Sequence, residues 1–114
     1  MKKIEAIIRP EKTDKLIDVL EEIGIGGLNI TEIKGYGSQK GHSETYRGVT
    51  YRIRLRKKVK VELVVEYSKV DRIVEAIKKA VKTGEVGDGK IFVSDIENAV
   101  RIRTGEEGAK ALQS

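Results

Sequence analysis

The stretch K-V-K-V-E-L-V-V-E-Y-S-K-V-D-R-I-V-E-A-I-K-K-A-V, residues 58–81, changes its hydrophobic period part-way along. Val59, Val61, Leu63 and Val65 alternate with mostly charged residues, which is the pattern of a strand with one buried face. After Glu66 the spacing becomes helical, with Val70, Ile73, Val74, Ile77 and Val81 on one stripe as far as about Lys82. Ser68 stands three residues before Asp71, at capping-box spacing. Working outward, the N-terminus repeats the change of period. Ile4, Ala6 and Ile8 alternate until Pro10, which has no amide hydrogen to continue a ladder. From Glu11, Leu16, Val19, Leu20 and Ile23 form a second helical stripe, stopped by Gly24, Gly26 and Gly27. Residues 28–34 (LNITEIK) are rich in β-branched side chains and predict a strand that pairs with residues 58–66 as a hairpin. Residues 91–96 predict a fourth strand. The order is therefore βαββαβ, and two such halves with right-handed crossovers give an α+β, ferredoxin-like fold, an antiparallel four-stranded sheet backed by two helices. No internal sequence repeat links the halves.

The 114 residues suffice for one domain with a modest core, so a single domain over residues 1–114 is expected. Hydrophobic residues at 39% and charged ones at 36% suit a globule with a strongly ionised exterior rather than a disordered chain. With no cysteine, packing alone must hold the fold, without disulfides or thiolate zinc sites. Glu5 and Arg9 interrupt the N-terminal apolar run far short of a signal peptide, and no apolar segment approaches the roughly 20 residues of a membrane helix. The expectation is a cytoplasmic protein without membrane insertion.

Two segments stand outside this framework. Residues 35–57 contain glycines at 35, 37, 41 and 48 and almost no aliphatic side chain before Val49, which predicts a long protruding arm. The other is T-G-E-V-G-D-G-K-I-F-V, residues 83–93, with three glycines and a lysine ahead of an apolar run. Asp and Gly are ordinary turn residues, so a turn is one reading. The other is an anion nest, in which backbone amides of the glycine-rich turn share one concavity and Lys90 adds a point charge. Arg101 and Arg103, on one side of an extended segment, would supply further donors. The glycines fall between helix and strand, so this is neither a Walker loop nor a Rossmann fingerprint.

Residues 83–96, with the R-I-R-T-G-E of residues 101–106, resemble the nucleotide-binding stretch of the PII nitrogen-regulatory signal proteins. Residues 35–42 (GYGSQKGH) are similar to the root of that family's T-loop, and residues 46–51 (YRGVTY) to its tip. The resemblance runs from Met1 to about Glu106. It implies a homotrimer with sheets facing inward, a T-loop at about 37–57, a nucleotide-binding B-loop at about 82–90 and a C-terminal loop at about 101–114. ATP or ADP would lie between neighbouring protomers. Gly35, Gly37, Ser38, Gly87, Asp88, Gly89, Lys90, Arg101 and Arg103 would contact it, and Val64 would pack against adenine. A second ligand, 2-oxoglutarate, would bind beside a Mg2+ ion that arrives with ATP and is held by Gln39. Lys40, Gly41 and Gly87 border this site, and Lys58 pairs with a carboxylate. The cation and the lysine would offset the repulsion between two anions. Arg47 at the arm's tip corresponds to the residue that enters an ammonium transporter in some relatives. Tyr51 would also meet a partner, and stands where some bacterial members accept a uridylyl group.

The chain departs from the family pattern in places. Ser38 replaces a frequent arginine, which bears on the discrimination of ATP from ADP, and Val49 and Thr50 replace the small and acidic residues usual before Tyr51. Residues 52–60 (RIRLRKKVK) are basic at six of nine positions, where relatives tend to carry an aspartate near Arg54 and a proline near Lys57. That segment alone exceeds the formal net charge of +5. A solvated strand face is one reading, and an arm root matched to an acidic partner is the other. A nucleic-acid module is disfavoured despite the basic pI, because the strands offer few aromatics for base stacking. An enzyme is disfavoured too. His42, the single histidine, lies in the arm without a partner base, and any slow hydrolysis of ATP would lack a residue that clearly positions water.

Overall fold

The computed structural model describes residues 1–36, 43–46, 49–52 and 55–112, the segments 43–46 and 49–52 by their backbone alone. Strand β1 (Lys2–Ile8) leads through a single 3-10 turn to helix α1 (Thr13–Ile23) and then to β2 (Asn29–Gly35). A hairpin of β3 (Ser43–Tyr46) and β4 (Val49–Arg52) precedes β5 (Arg56–Val65), α2 (Val70–Val81) and β6 (Lys90–Asp95). The main sheet has the order β2-β5-β1-β6, with every neighbouring pair antiparallel. This is the expected four-stranded α+β arrangement.

The register explains the core. Ile4 faces Leu63, Ala6 faces Val61 and Ile8 faces Val59, so the alternating apolar sets of β1 and β5 meet on one face. Leu16 and Leu20 of α1 and Ile73 and Ile77 of α2 close over that face with no exposed surface. Each such side chain contributes about 1.5–3 kcal/mol by leaving water. The opposite face carries the even positions of β5 and the odd positions of β1, where Lys3 bridges Glu5 and Glu62, both at 3.6 Å. Helix α1 ends on Gly24 at φ +95°, whose N–H is taken by the last-turn carbonyls, and Ile25 N–H returns to Leu20 O at 3.0 Å. Among the described residues no helix is long and apolar enough to cross a membrane.

Three local expectations are corrected. Ser68 does not cap α2. A 3-10 turn at Tyr67–Lys69 feeds the helix, and the amides of Lys69 and Val70 are satisfied by the carbonyls of Glu66 and Tyr67, which leaves the hydroxyl no capping role. Strand β5 begins at Arg56, two residues before the expected start at Lys58, and the expected arm contains the β3–β4 ladder. Arg101 and Arg103 do not share an extended segment. Gly105, at φ +74°, closes a tight turn over residues 101–105 by donating its N–H to Arg101 O at 2.7 Å.

Candidate anion-binding cleft

Four separate segments converge where β2 ends, β5 begins and β6 begins. Cross-strand pairing sets Gly35 opposite Arg56, and Ile7 opposite both Lys60 and Lys90. Ile7, Lys58, Lys90 and Phe92 share the sheet face away from the helices. With Tyr36, Arg56 and residues 85 and 87–89 they enclose a cleft of about 390 Å³. Apart from the carboxylates of Glu85 and Asp88, its walls are of two kinds. Ile7, Phe92 and Tyr36 are apolar or aromatic, whereas Arg56, Lys58 and Lys90 are cationic.

The glycine loop is held by its own carboxylate. Asp88 accepts hydrogen bonds from the Thr83 hydroxyl, from the N–H groups of Thr83 and Gly84 at 2.9 Å each, and from Arg9 Nε at 3.1 Å. Arg9 also donates from Nη2 to Val86 O at 2.8 Å, so the end of β1 clasps the loop at two points. The Thr83 hydroxyl and amide, then the Gly84 amide and Arg9, hold the Asp88 carboxyl far below the usual carboxylate range. Gly84, Gly87 and Gly89 all have positive φ, at 87°, 104° and 99°. At Gly89 the reason is internal: an added Cβ would lie 1.7 Å from Ile7 O. The bare backbone there is required by the β1–β6 junction itself.

Lys58 crosses from β5 to the same loop and donates from Nζ to Gly87 O at 2.5 Å. Partial burial first, then Arg9 and Arg56, lower its pKa, with Glu11 and Asp88 acting in the opposite sense. An anion entering the cleft would meet a partly desolvated cation.

The fold thus brings together Gly35, Lys58, Gly87, Asp88, Gly89 and Lys90 from the expected set. It does not bring Val64, Arg101 or Arg103 to them within one chain. Val64 lines a separate recess beside residues 24–27 and Leu112. The Arg101 guanidinium bonds Glu106 Oε1 at 3.0 Å and Lys110 O at 2.9 Å, while Arg103 is exposed. Gly37, Ser38, Gln39, Lys40, Gly41 and Arg47 lie outside the described residues, and so does the side chain of Tyr51, whose backbone belongs to β4. Sequence reasoning missed Ile7, Arg9, Tyr36, Arg56, Glu85 and Phe92. Ile7 carried a signal, since it is apolar yet out of phase with the buried Ile4, Ala6 and Ile8.

The family model for "Nitrogen regulatory protein P-II" matches residues 1–106. A protein of that name from Rhodospirillum rubrum is 56% identical over 112 residues, which cover 98% of this chain and 100% of the relative. Those from Bradyrhizobium diazoefficiens and Azospirillum brasilense are 54% and 55% identical over the same coverage. The matched span includes all four strands of the main sheet and the whole glycine loop, and likeness so extensive, end to end, establishes that the chain belongs to the nitrogen regulatory protein P-II family.

Proposed function

We propose that the chain is a trimeric signal protein that binds ATP or ADP in this cleft, senses 2-oxoglutarate in the ATP-bound state, and regulates a nitrogen-metabolism target through the arm. The observation that carries the proposal is the charge arrangement. Arg56, Lys58 and Lys90 line the cleft with two loop carboxylates, Glu85 and Asp88, of which Asp88 is already satisfied by Arg9 and by amide and hydroxyl donors, so cations outnumber the acids three to two. The cleft therefore offers cations to a phosphate chain while Ile7 and Phe92 offer an apolar wall to a base, the mixed lining that a nucleotide needs. The placement of Val64, Arg101 and Arg103 away from it supports a site completed by a neighbouring protomer.

Lys58 links the two ligands. Its bond to the Gly87 carbonyl ties the arm root to the glycine loop, and a 2-oxoglutarate carboxylate would compete for the same ammonium. Gln39 would hold Mg2+ together with ATP, so that the cation relieves repulsion between the two anions. The arm would then favour one shape or another through differential affinity for the ligands. Arg47 and Tyr51 would meet the target, an ammonium transporter being the candidate, with Tyr51 a candidate for covalent modification.

Calorimetric titration of 2-oxoglutarate into protein with Mg-ATP, and separately with ADP, tests the sensing logic. Binding is expected only in the first titration. Failure of both ADP and Mg-ATP to bind at all would remove the nucleotide reading, and 2-oxoglutarate binding equally in both titrations would remove the coupling.

A further inference from the structure

The sheet divides the basic segment between its two faces. From Arg56 onward the segment is β5, and strand alternation places Arg56, Lys58 and Lys60 on the cleft face but Lys57 on the helix face with Val59. There Lys57 is directly opposite Lys34 of β2. Both are exposed, and neither side chain forms an ion pair or hydrogen bond among the described residues. Like charges directly opposite on antiparallel strands destabilise the pairing, so this pair costs the fold something and receives nothing from it. Glu32 lies on the same face of β2, opposite Val59, close enough in register to pair with either lysine, yet it bridges neither. The groove around these residues, about 330 Å³, is lined by Pro10, by residues 32–34 of β2 and by residues 57–59 of β5.

We propose that this groove docks an acidic, extended segment of a partner protein, whose carboxylates bridge Lys34 and Lys57. Charge complementarity selects the occupant. The groove presents two unpaired ammonium groups against one carboxylate, and an extended chain offers carboxylates on one side at every second residue, matched to cations on two adjacent strands. Such clustered charge speeds encounter and rejects basic partners. Lys34 and Lys57 lie on the sheet face away from the nucleotide cleft, and only Lys58 borders both, so a contact made through Lys34 and Lys57 is separable from the nucleotide reading. It lies where the arm leaves the sheet, between Gly35 and Arg56, and adds a second contact area at the arm's root.

The test uses the whole chain and a labelled hexaglutamate peptide, followed by fluorescence anisotropy at low ionic strength. The double variant Lys34→Gln/Lys57→Gln is expected to weaken binding by about tenfold or more. A control with the same charge removed from the two helices, Lys15→Gln/Lys79→Gln, is expected to stay within about twofold. ADP titration of the groove variant should match the wild type, which separates this proposal from the nucleotide site. Lys57→Glu supplies an independent reading: it should raise the thermal midpoint by pairing with Lys34 while abolishing peptide binding. Equal weakening in the groove and control variants would reduce the effect to net charge and overturn the proposal. So would a lowered midpoint in Lys57→Glu, or tripolyphosphate binding more tightly than the peptide with the same dependence on Lys34 and Lys57, which would make the groove a small-anion site.

Discussion

At Gly89 an added methyl group would lie 1.7 Å from the Ile7 carbonyl oxygen, on a backbone already at φ +99°. Neither β1 nor β6 can yield without giving up the ladder between Ile7 and Lys90. Gly89→Ala should therefore cost more than about 2 kcal/mol in urea unfolding. Gly84→Ala, at φ +87° with open space beyond it, should cost only about 1 kcal/mol. The two glycines look equivalent in sequence, and only the position of Ile7 separates them. Asp88 gives a prediction in pH. Its folded pKa lies below the ordinary value of 3.8, chiefly through Thr83, so the unfolded chain binds the proton more readily. The stability this confers is fully present above that ordinary value and is lost as pH falls below it toward the folded pKa. Asp95, lowered by Lys2, adds a second contribution of the same sign. Thermal midpoints recorded from pH 6 down to about pH 2 should fall less steeply for Asp88→Asn than for the wild type. The variant should retain the part of the slope that belongs to Asp95. Parallel slopes would mean that the loop is not held by this carboxylate.

At the scale of elements, α2 is attached by Ile73 and Ile77, which have no exposed surface and pack in one cluster with Ile4, Ala6 and Val61. Ile77→Ala should cost about 2–5 kcal/mol, read as a shift in the urea midpoint at unchanged slope. The same stripe was legible in the sequence because burial on one face leaves a period. For that reason both helices and the strands β1 and β5 could be read from their periods, whereas β2 and β6, which bury no residue, were legible from β-branched content and a short apolar run. The β3–β4 ladder could not. A hairpin joined by backbone hydrogen bonds needs no buried face, and residues 43–52 contain one aliphatic side chain, Val49. The turn at residues 101–105 was missed for a related reason. R-I-R alternates like a strand, but the fully exposed Ile102 shows that no face is being buried, and Gly105 and Thr104 fix the turn through local bonds instead. The capping box at Ser68 failed because a preceding 3-10 turn had already satisfied the amides it would have served.

For the whole molecule the question is how many chains make one site. Glycine spacing and Lys90 pointed to the loop half of the cleft, but the apolar wall from Ile7 and Phe92 emerged only once β1 and β6 were paired, since no local pattern joins residues so far apart in sequence. The remaining expected ligands divide cleanly. Gly35, Lys58, Gly87, Gly89 and Lys90 border one cleft, while Val64 lies in another recess and Arg101 is turned toward Lys110. A ring of protomers, each contacting the next through two different surfaces, would reunite them, because every cleft would then take its loop half from one chain and its Val64 and Arg103 half from a neighbour. Complementation is the expected consequence. Lys90→Ala and Arg103→Ala variants should each bind ADP poorly when alone. If equal amounts are unfolded and refolded together, protomers mix at random, and an intact site needs a Lys90-bearing chain beside an Arg103-bearing one. Each condition is met half the time, so about a quarter of the wild-type binding capacity should return, at wild-type affinity. Calorimetric stoichiometry measures this directly. A site contained within one chain would give no recovery on mixing, because every chain in the mixture would carry a damaged site of its own.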